Sequence, residues 1–377
     1  MRGHIVKRFK SSYTIFLNLG VDPATGKRKQ QIISVKGTKK EAEQKLADLI
    51  RQLDTGTFTK PNKILLADFL EKWIADYKIN LSPRGFERYR GIIHKDLIPA
   101  FGSLTLVQLR PEHIQSHYTA NLESGLSART VRYHHAVLHV ALKAAVRLGL
   151  LARNPADAAM PPRAKRSDMQ TWDEDELNRF LEASKGSPYY DLFYTVLFTG
   201  MRRSELLGLR WSDIDFIMSQ IYVSRGLHQL QDNTYVFTEP KSEHSRRAIA
   251  LSPSVINLLK RSKEKRKLDC LDWGLPFSED SGVFTNIDGK PFRPNTITRA
   301  WHDAAKHAGV KDIRLHDARH THASIMLKRG IHPKIVQERL GHSSIQMTLD
   351  TYSHVAPGLQ QKAADAFETA INPIVVG

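Results

Sequence analysis

Apolar positions along this chain change period twice. Over residues 1–36 they come in short runs rich in β-formers: His4-Ile5-Val6-Lys7-Arg8-Phe9, Tyr13-Thr14-Ile15-Phe16-Leu17-Asn18-Leu19 and Gln31-Ile32-Ile33-Ser34-Val35. Turn chemistry in Asp22-Pro23-Ala24-Thr25-Gly26 separates the last two, which predicts a small antiparallel sheet. Thr38-Lys39-Lys40-Glu41 has the spacing of a capping box and predicts a helix to about Leu53. A linker, Thr57 to Leu65, follows. From Leu66 the spacing becomes helical, predicting helices over 66–77, 83–94, 107–121 and 128–148. Gly149 and Asn154-Pro155 stop the last of these.

A basic, proline-bearing linker, Pro161-Pro162-Arg163-Ala164-Lys165-Arg166, opens the third region. Thr171-Trp172-Asp173-Glu174 reads as a second capping box starting a helix to about Lys185. A mostly apolar helix over 189–198 ends at Gly200, and short strands are predicted at 220–224, 234–237 and 247–251. Helices resume from Ser254. The pattern therefore predicts a multidomain α+β chain: residues 1–60 a three-stranded sheet plus helix, 61–165 all helical, and 166–377 a mixed α/β unit. No internal repeat or low-complexity tract interrupts it.

Charge narrows the class of partner. Lys and Arg number 56 against 39 Asp and Glu, a formal net charge of +17 with a pI near 9.8. A polyanion is the expected partner, against the plainer reading of an uncommitted basic surface. Residues 1–60 alone hold 13 Lys and Arg against 5 Asp and Glu, a net +8. On the helix over 128–148, Arg132, His139, Lys143 and Arg147 fall on the side opposite the apolar stripe, a placement suited to backbone phosphates and equally to a solvated face. The single cysteine, Cys270, excludes an intramolecular disulfide and points to a reducing compartment. No apolar run approaches the ~18 residues that span a bilayer, and the first residues lack the apolar core of a signal peptide, so the expectation is a soluble, cytoplasmic protein.

Three segments carry candidate chemistry. Gly200 allows a tight turn after an apolar helix and sets Arg202 near the start of the next, where a guanidinium and backbone amides both suit an anion; Glu205, three residues on, can steady the arginine. A surface Arg–Glu pair of little consequence is the bland alternative. His316, Arg319 and His320 share a helical face. His316 and His320 have the i,i+4 spacing of a zinc pair, but Asp317 stands where the glutamate would be and no third ligand is evident. Lys241 falls in a turn between two predicted strands, where a lysine is usually solvated. His342 follows Leu340-Gly341, and Tyr352 lies ten residues beyond it. A tyrosine alone is a poor nucleophile at neutral pH, since its phenol titrates near ~10.

Taken in order, Thr199-Gly200-Met201-Arg202, the lysine at 241, His316-Asp317-Ala318-Arg319-His320, Leu340-Gly341-His342 and Tyr352 resemble the motif set of the tyrosine recombinases, the phage-integrase family. The resemblance covers roughly residues 61–356. By layout, residues 1–60 resemble the arm-site-binding domain of phage and conjugative-element integrases. The family implies a site of Arg202, Lys241, His316, Arg319, His342 and Tyr352 with no cofactor or metal, Glu205 and His320 in support, and Arg132, Lys143 and Arg147 on DNA. Ala318 stands where a larger apolar residue is common. Tyr352 would attack a DNA phosphate, form a 3′-phosphotyrosyl bond and release a 5′-hydroxyl that later attacks in reverse, integrating and excising a mobile element. In these roles Arg202 and Arg319 neutralise charge, His342 donates a further hydrogen bond, Lys241 is the general acid and His316 the base. The implied partners are double-stranded DNA at attachment sites and a homotetramer on synapsed DNA, with room for a DNA-bending host factor and a directionality factor. A tail helix is expected over 357–371, with Leu359, Ala363, Ala366, Phe367 and Ala370 in an apolar stripe that could pack on its own domain; the resemblance instead implies packing on a neighbouring protomer. Two rivals remain at this stage: a type IB topoisomerase of the same chemistry, and a DNA-binding regulator with a relict active site.

Overall fold

A computed structural model describes residues 3–21, 26, 28–54, 63–164, 169–239, 246–352, 364–365 and 367–369. The chain divides into two compact units, residues 1–166 and 167–377.

In the first unit, β1 (Gly3–Phe9), β2 (Ser12–Val21) and β3 (Arg28–Lys36) form an antiparallel sheet in sequence order. Alternation along β2 turns Ile15 and Leu17 inward, where Leu49 of α1 (Lys39–Asp54) meets them in a small core. The capping box that starts α1 forms as expected. The Thr38 N–H donates to Glu41 Oε2 at 2.6 Å, and the Glu41 N–H donates to Thr38 Oγ1 at 3.3 Å.

The helical part runs α2 (Leu66–Tyr77), α3 (Pro83–Ile92), a π-helical turn (Ile93–Leu97), α4 (Ile98–Phe101), α5 (Pro111–Glu123) and α6 (Ala128–Arg147). Its core joins Leu70 and Trp73 to Tyr118, Leu138 and Leu142. Three sequence boundaries shift. The expected linker ends before Leu65, because Ile64 and Leu66 exchange backbone bonds with Leu106 and Leu104. The helix expected over 83–94 continues through the π turn to Phe101. The helix expected from Val107 begins at Pro111, since a residue before proline is held extended, as Arg110 is here (φ −117°, ψ 158°).

The second unit contains α7 (Glu174–Ser184), α8 (Tyr190–Thr199), α9 (Arg203–Leu207), β4 (Ile214–Asp215), β5 (Gln220–Val223), β6 (Gly226–Gln229), β7 (Tyr235–Thr238), β8 (Arg247–Ala250), α10 (Pro253–Asp272), α11 (Pro294–His307), α12 (Asp317–Lys328), α13 (Pro333–Leu340) and α14 (Ile345–Tyr352). Trp172 stacks on Trp301 at its centre, with Phe180 tilted against both and Phe193 edge-on to Trp301, and Ala318 is fully buried in the same core. The cap of α7 is Asp173 paired with Glu176, two residues later than Thr171 suggested. Trp172 is buried and its N–H is taken by Thr321 Oγ1, so the chain stays extended up to Asp173.

The strands form two sheets, β4-β5-β8 and β6-β7. β6 escaped the sequence reading because Gly226-Leu227-His228-Gln229 has no β-branched residue. In chain order Lys241 falls between β7 and β8, which belong to different sheets; the turn expected there lies outside the described residues, as do most of the residues assigned to a tail helix. Among the described residues no helix is long and apolar enough to cross a membrane.

Candidate active site

Helix ends build the site. α8 terminates at Gly200 with φ +66°, and α13 terminates at Gly341 with φ +67°; both are left-handed caps that favour glycine. Gly200 has a second constraint. A Cβ there would sit 2.6 Å from Leu340 Cδ2 and 3.0 Å from a carbon of the His322 ring. The two helix ends are thus packed without room for a side chain. Each leaves carbonyls with no intrahelical partner. Arg319, on the first turn of α12, supplies donors to both: Nη1 to Gly200 O at 2.8 Å, and Nη2 to Leu340 O.

Arg202 follows Gly200 as the N-cap of α9. Its Nη1 donates to Glu205 Oε1 at 2.7 Å, its N–H donates to Glu205 Oε2 at 2.8 Å, and its Nη2 donates to Gly341 O at 3.2 Å. Glu205 is held from the other side by Arg247, whose Nη1 and Nη2 donate to Oε1 and Oε2 at 3.2 and 2.9 Å. Burial by itself would raise the Glu205 pKa. The hydrogen bond and charge of Arg247, with those of Arg202, outweigh it and hold the carboxyl at about 2. Glu205 thus steadies Arg202, as its spacing suggested, but as the centre of a buried Arg–Glu–Arg set.

The two arginines differ in access. The Arg202 side chain is 34% exposed, whereas Arg319 is 2% exposed beneath the helix ends it joins. Sequence spacing cannot register that difference.

The histidines gather around the same charges. His316 is the N-cap of α12 and meets His320 edge to face, with ring centroids 5.3 Å apart. Partial desolvation, then the Arg319 charge, lowers the His316 pKa. Desolvation, then His316, brings His320 to about 4. His342 is buried; burial first, then Arg319 and Arg202, bring its pKa to about 3. Its Nδ1 lies 2.9 Å from Thr348 Oγ1 on α14. Tyr352 ends α14, which packs on α12 and α13.

Sequence reasoning passed over Arg247, Thr348, Arg339 and His322. Arg339 donates to Ala250 O, Phe198 O and His322 Nε2, and its own carbonyl accepts from Arg247 Nε at 2.7 Å. The available signal was parity: Arg247 shares a face of β8 with buried Ile249, an unusual place for a charge. In the first unit Arg132, Lys143 and Arg147 stand exposed on α6. His139 is instead bound to Asp157, Nε2 to Oδ1 at 2.8 Å.

A model of the phage integrase family matches residues 170–358, and one of the phage integrase N-terminal SAM-like domain matches residues 65–120. The ICEBs1 integrase of Bacillus subtilis (strain 168) is 29% identical over 366 residues, covering 96% of this chain and 99% of the relative. A tyrosine recombinase described as XerC-like, from Caldanaerobacter subterraneus subsp. tengcongensis, is 28% identical, with 96% of each chain covered. The solved Tn1549 transposon integrase in complex with transposon right end DNA matches with a TM-score of 0.67 at 24% identity, covering 80% of this chain and 98% of that one. The lambda integrase tetramer bound to a Holliday junction matches with a TM-score of 0.59 at 18% identity, covering 94% and 95%. At these identities the solved structures establish likeness of fold.

Proposed function

Because the chain belongs to the phage integrase family, we propose that it is a tyrosine-type site-specific recombinase that integrates and excises a mobile element, with Arg202, Lys241, His316, Arg319, His342 and Tyr352 as its active site. The observation that carries this reading is convergence. Arg202, His316 with Arg319, and His342 come from three separate segments, and the charges of Arg202 and Arg319 both act on the His316 and His342 rings. α14, which bears Tyr352, packs on the helices that follow His316 and precede His342.

In the reaction, the Tyr352 oxygen attacks the DNA phosphorus while the bond to the 5′-oxygen breaks. His316 takes the phenol proton and Lys241 gives one to the leaving 5′-hydroxyl. Arg202 meets the non-bridging oxygens at the surface. Arg319 contributes positive charge from beneath while it fixes the backbones of Gly200 and Leu340. His342, neutral at pH 7, donates a hydrogen bond to the phosphate. The phosphotyrosyl ester conserves the bond energy, so the second attack by a 5′-hydroxyl reseals the strand.

Residues 1–60 would bind DNA apart from the crossover site, and the helical segment 61–165 would bind the core site through Arg132, Lys143 and Arg147 on α6. Four protomers would act on two synapsed duplexes, assisted by a DNA-bending host factor and a directionality factor. Tyr352→Phe tests the central claim on a nicked suicide duplex. DNA binding should persist, and the covalent band on a denaturing gel should vanish. An adduct in the variant would move the nucleophile elsewhere.

A further inference from the structure

Thr348 is 0% exposed and lies four residues before Tyr352, one turn back on the same face of α14. Its Oγ1 is 2.9 Å from His342 Nδ1. The main chain of His342 is already fixed. Its N–H donates to Gln337 O at 3.1 Å, and its carbonyl accepts from Gln337 Nε2 at 3.1 Å. The ring therefore sits on a fixed base with Nδ1 directed at α14, which leaves Nε2 as the nitrogen that would meet a phosphate.

A neutral imidazole carries one N–H. Burial and the neighbouring arginines keep this ring neutral at pH 7. It can donate from Nε2 only if Nδ1 is the acceptor. A threonine hydroxyl can fill the donor role that this requires. In a helix such a hydroxyl often turns back to its own backbone; here it is within bonding distance of the ring.

We propose that Thr348 is a positioning residue for strand cleavage: its hydroxyl donates to His342 Nδ1, holds the Nε2–H tautomer that donates to the scissile phosphate, and couples that donor to the helix bearing the nucleophile. This rests on the assignment of His342 and Tyr352 above. The same bond that docks α14 then selects the working form of His342, so a protomer whose α14 is displaced loses both the nucleophile and the donor.

The test uses the full chain on a nicked suicide duplex, with DNA affinity and the first-order cleavage rate at saturating protein measured separately. Thr348→Val keeps the shape and deletes the hydroxyl. It should leave affinity unchanged and slow cleavage by roughly 10²-fold, the scale for losing one transition-state donor. Thr348→Ser should restore most of the rate. Histidine-selective ¹⁵N spectra, with His342 assigned from a His342→Gln sample, should show the Nε2–H tautomer in wild type and its loss in Thr348→Val. An unchanged rate in Thr348→Val, or a slowed rate with an unchanged tautomer, overturns the proposal. So does an Nδ1–H tautomer in wild type, a result that needs no variant to fold. Failure of the underlying reading looks different: an adduct formed by Tyr352→Phe, or full-rate cleavage by His342→Ala.

Discussion

Replacing Glu205 with glutamine removes the one negative charge between two arginines, in a side chain only 9% exposed. The carboxylate accepts four bonds of 2.7–3.2 Å, from the Arg202 N–H, Arg202 Nη1, and Arg247 Nη1 and Nη2. Two routes give the magnitude. The carboxyl is lowered from 4.5 to about 2, and at ~1.36 kcal/mol per unit this corresponds to ~3 kcal/mol favouring the ionised form in the fold. Independently, removing one partner of a buried ion pair costs ~3–5 kcal/mol. Glu205→Gln should therefore lower the stability of the catalytic unit by ~3 kcal/mol at pH 7. Urea unfolding followed by tryptophan fluorescence reads this unit, since Trp172, Trp211, Trp273 and Trp301 lie in it and Trp73 alone lies outside. The pH dependence has a definite sign. A depressed carboxyl contributes stability above its unfolded pKa, and that contribution is lost as pH falls toward 2. The gap between wild type and variant should thus narrow by more than ~1 kcal/mol between pH 5.5 and 3.5. A loss under ~1 kcal/mol at pH 7, the range of exposed pairs, or a gap that does not move with pH, would refute the buried-triad account.

Three further outcomes follow from the site. His320 and His322 are held near 4 and 3 by burial first, so the unfolded chain takes up protons below ~6.5 while the fold does not; stability should drop by ~1.4 kcal/mol per ring between pH 7.5 and 5.5, and a flat profile in urea midpoints counts against it. Lys241→Ala should lose cleavage on normal DNA and recover when sulfur replaces the 5′-bridging oxygen, because a thiolate leaves without protonation; equal recovery by Arg319→Ala would remove Lys241 from the acid role. Deleting residues 1–60, with their net +8 charge, should spare cleavage of a short core site yet weaken integration on long substrates through lost tethering, and full-rate integration by the truncated chain would end the arm-binding assignment.

Legibility in the sequence followed the strength of the local signal. α6 was readable to within a residue because twenty positions repeat at helical period and a serine caps it. Arg202 with Glu205, and His316 with Arg319, were readable because three-residue spacings survive as geometry. β6 was not, since its pairing with β7 is a tertiary preference that its residue types do not announce. Arg247, 42 residues from Glu205, and Arg339, 92 from Arg247, were invisible for the same reason: their partners are chosen by packing and not by spacing. The burial of Arg319 was equally hidden, because it depends on two helix ends meeting over it.

That meeting point has a consequence for how such chains vary. Arg319 ties the carbonyl of Gly200 to that of Leu340 across 119 and 21 residues of intervening sequence. A second guanidinium, that of Arg202, reaches Gly341 O, so the register of the segments around 200, 319 and 341 is fixed across space and not by the length of chain between them. Insertions in exposed turns of the intervening stretch, such as 231–234 or 271–276, should therefore change loop length without moving Arg202 relative to His342. The strands have no such freedom, because β8 carries Arg247, which holds both Glu205 and the Arg339 carbonyl. Drift in size is confined to turns that hang from a frame tied by three arginines.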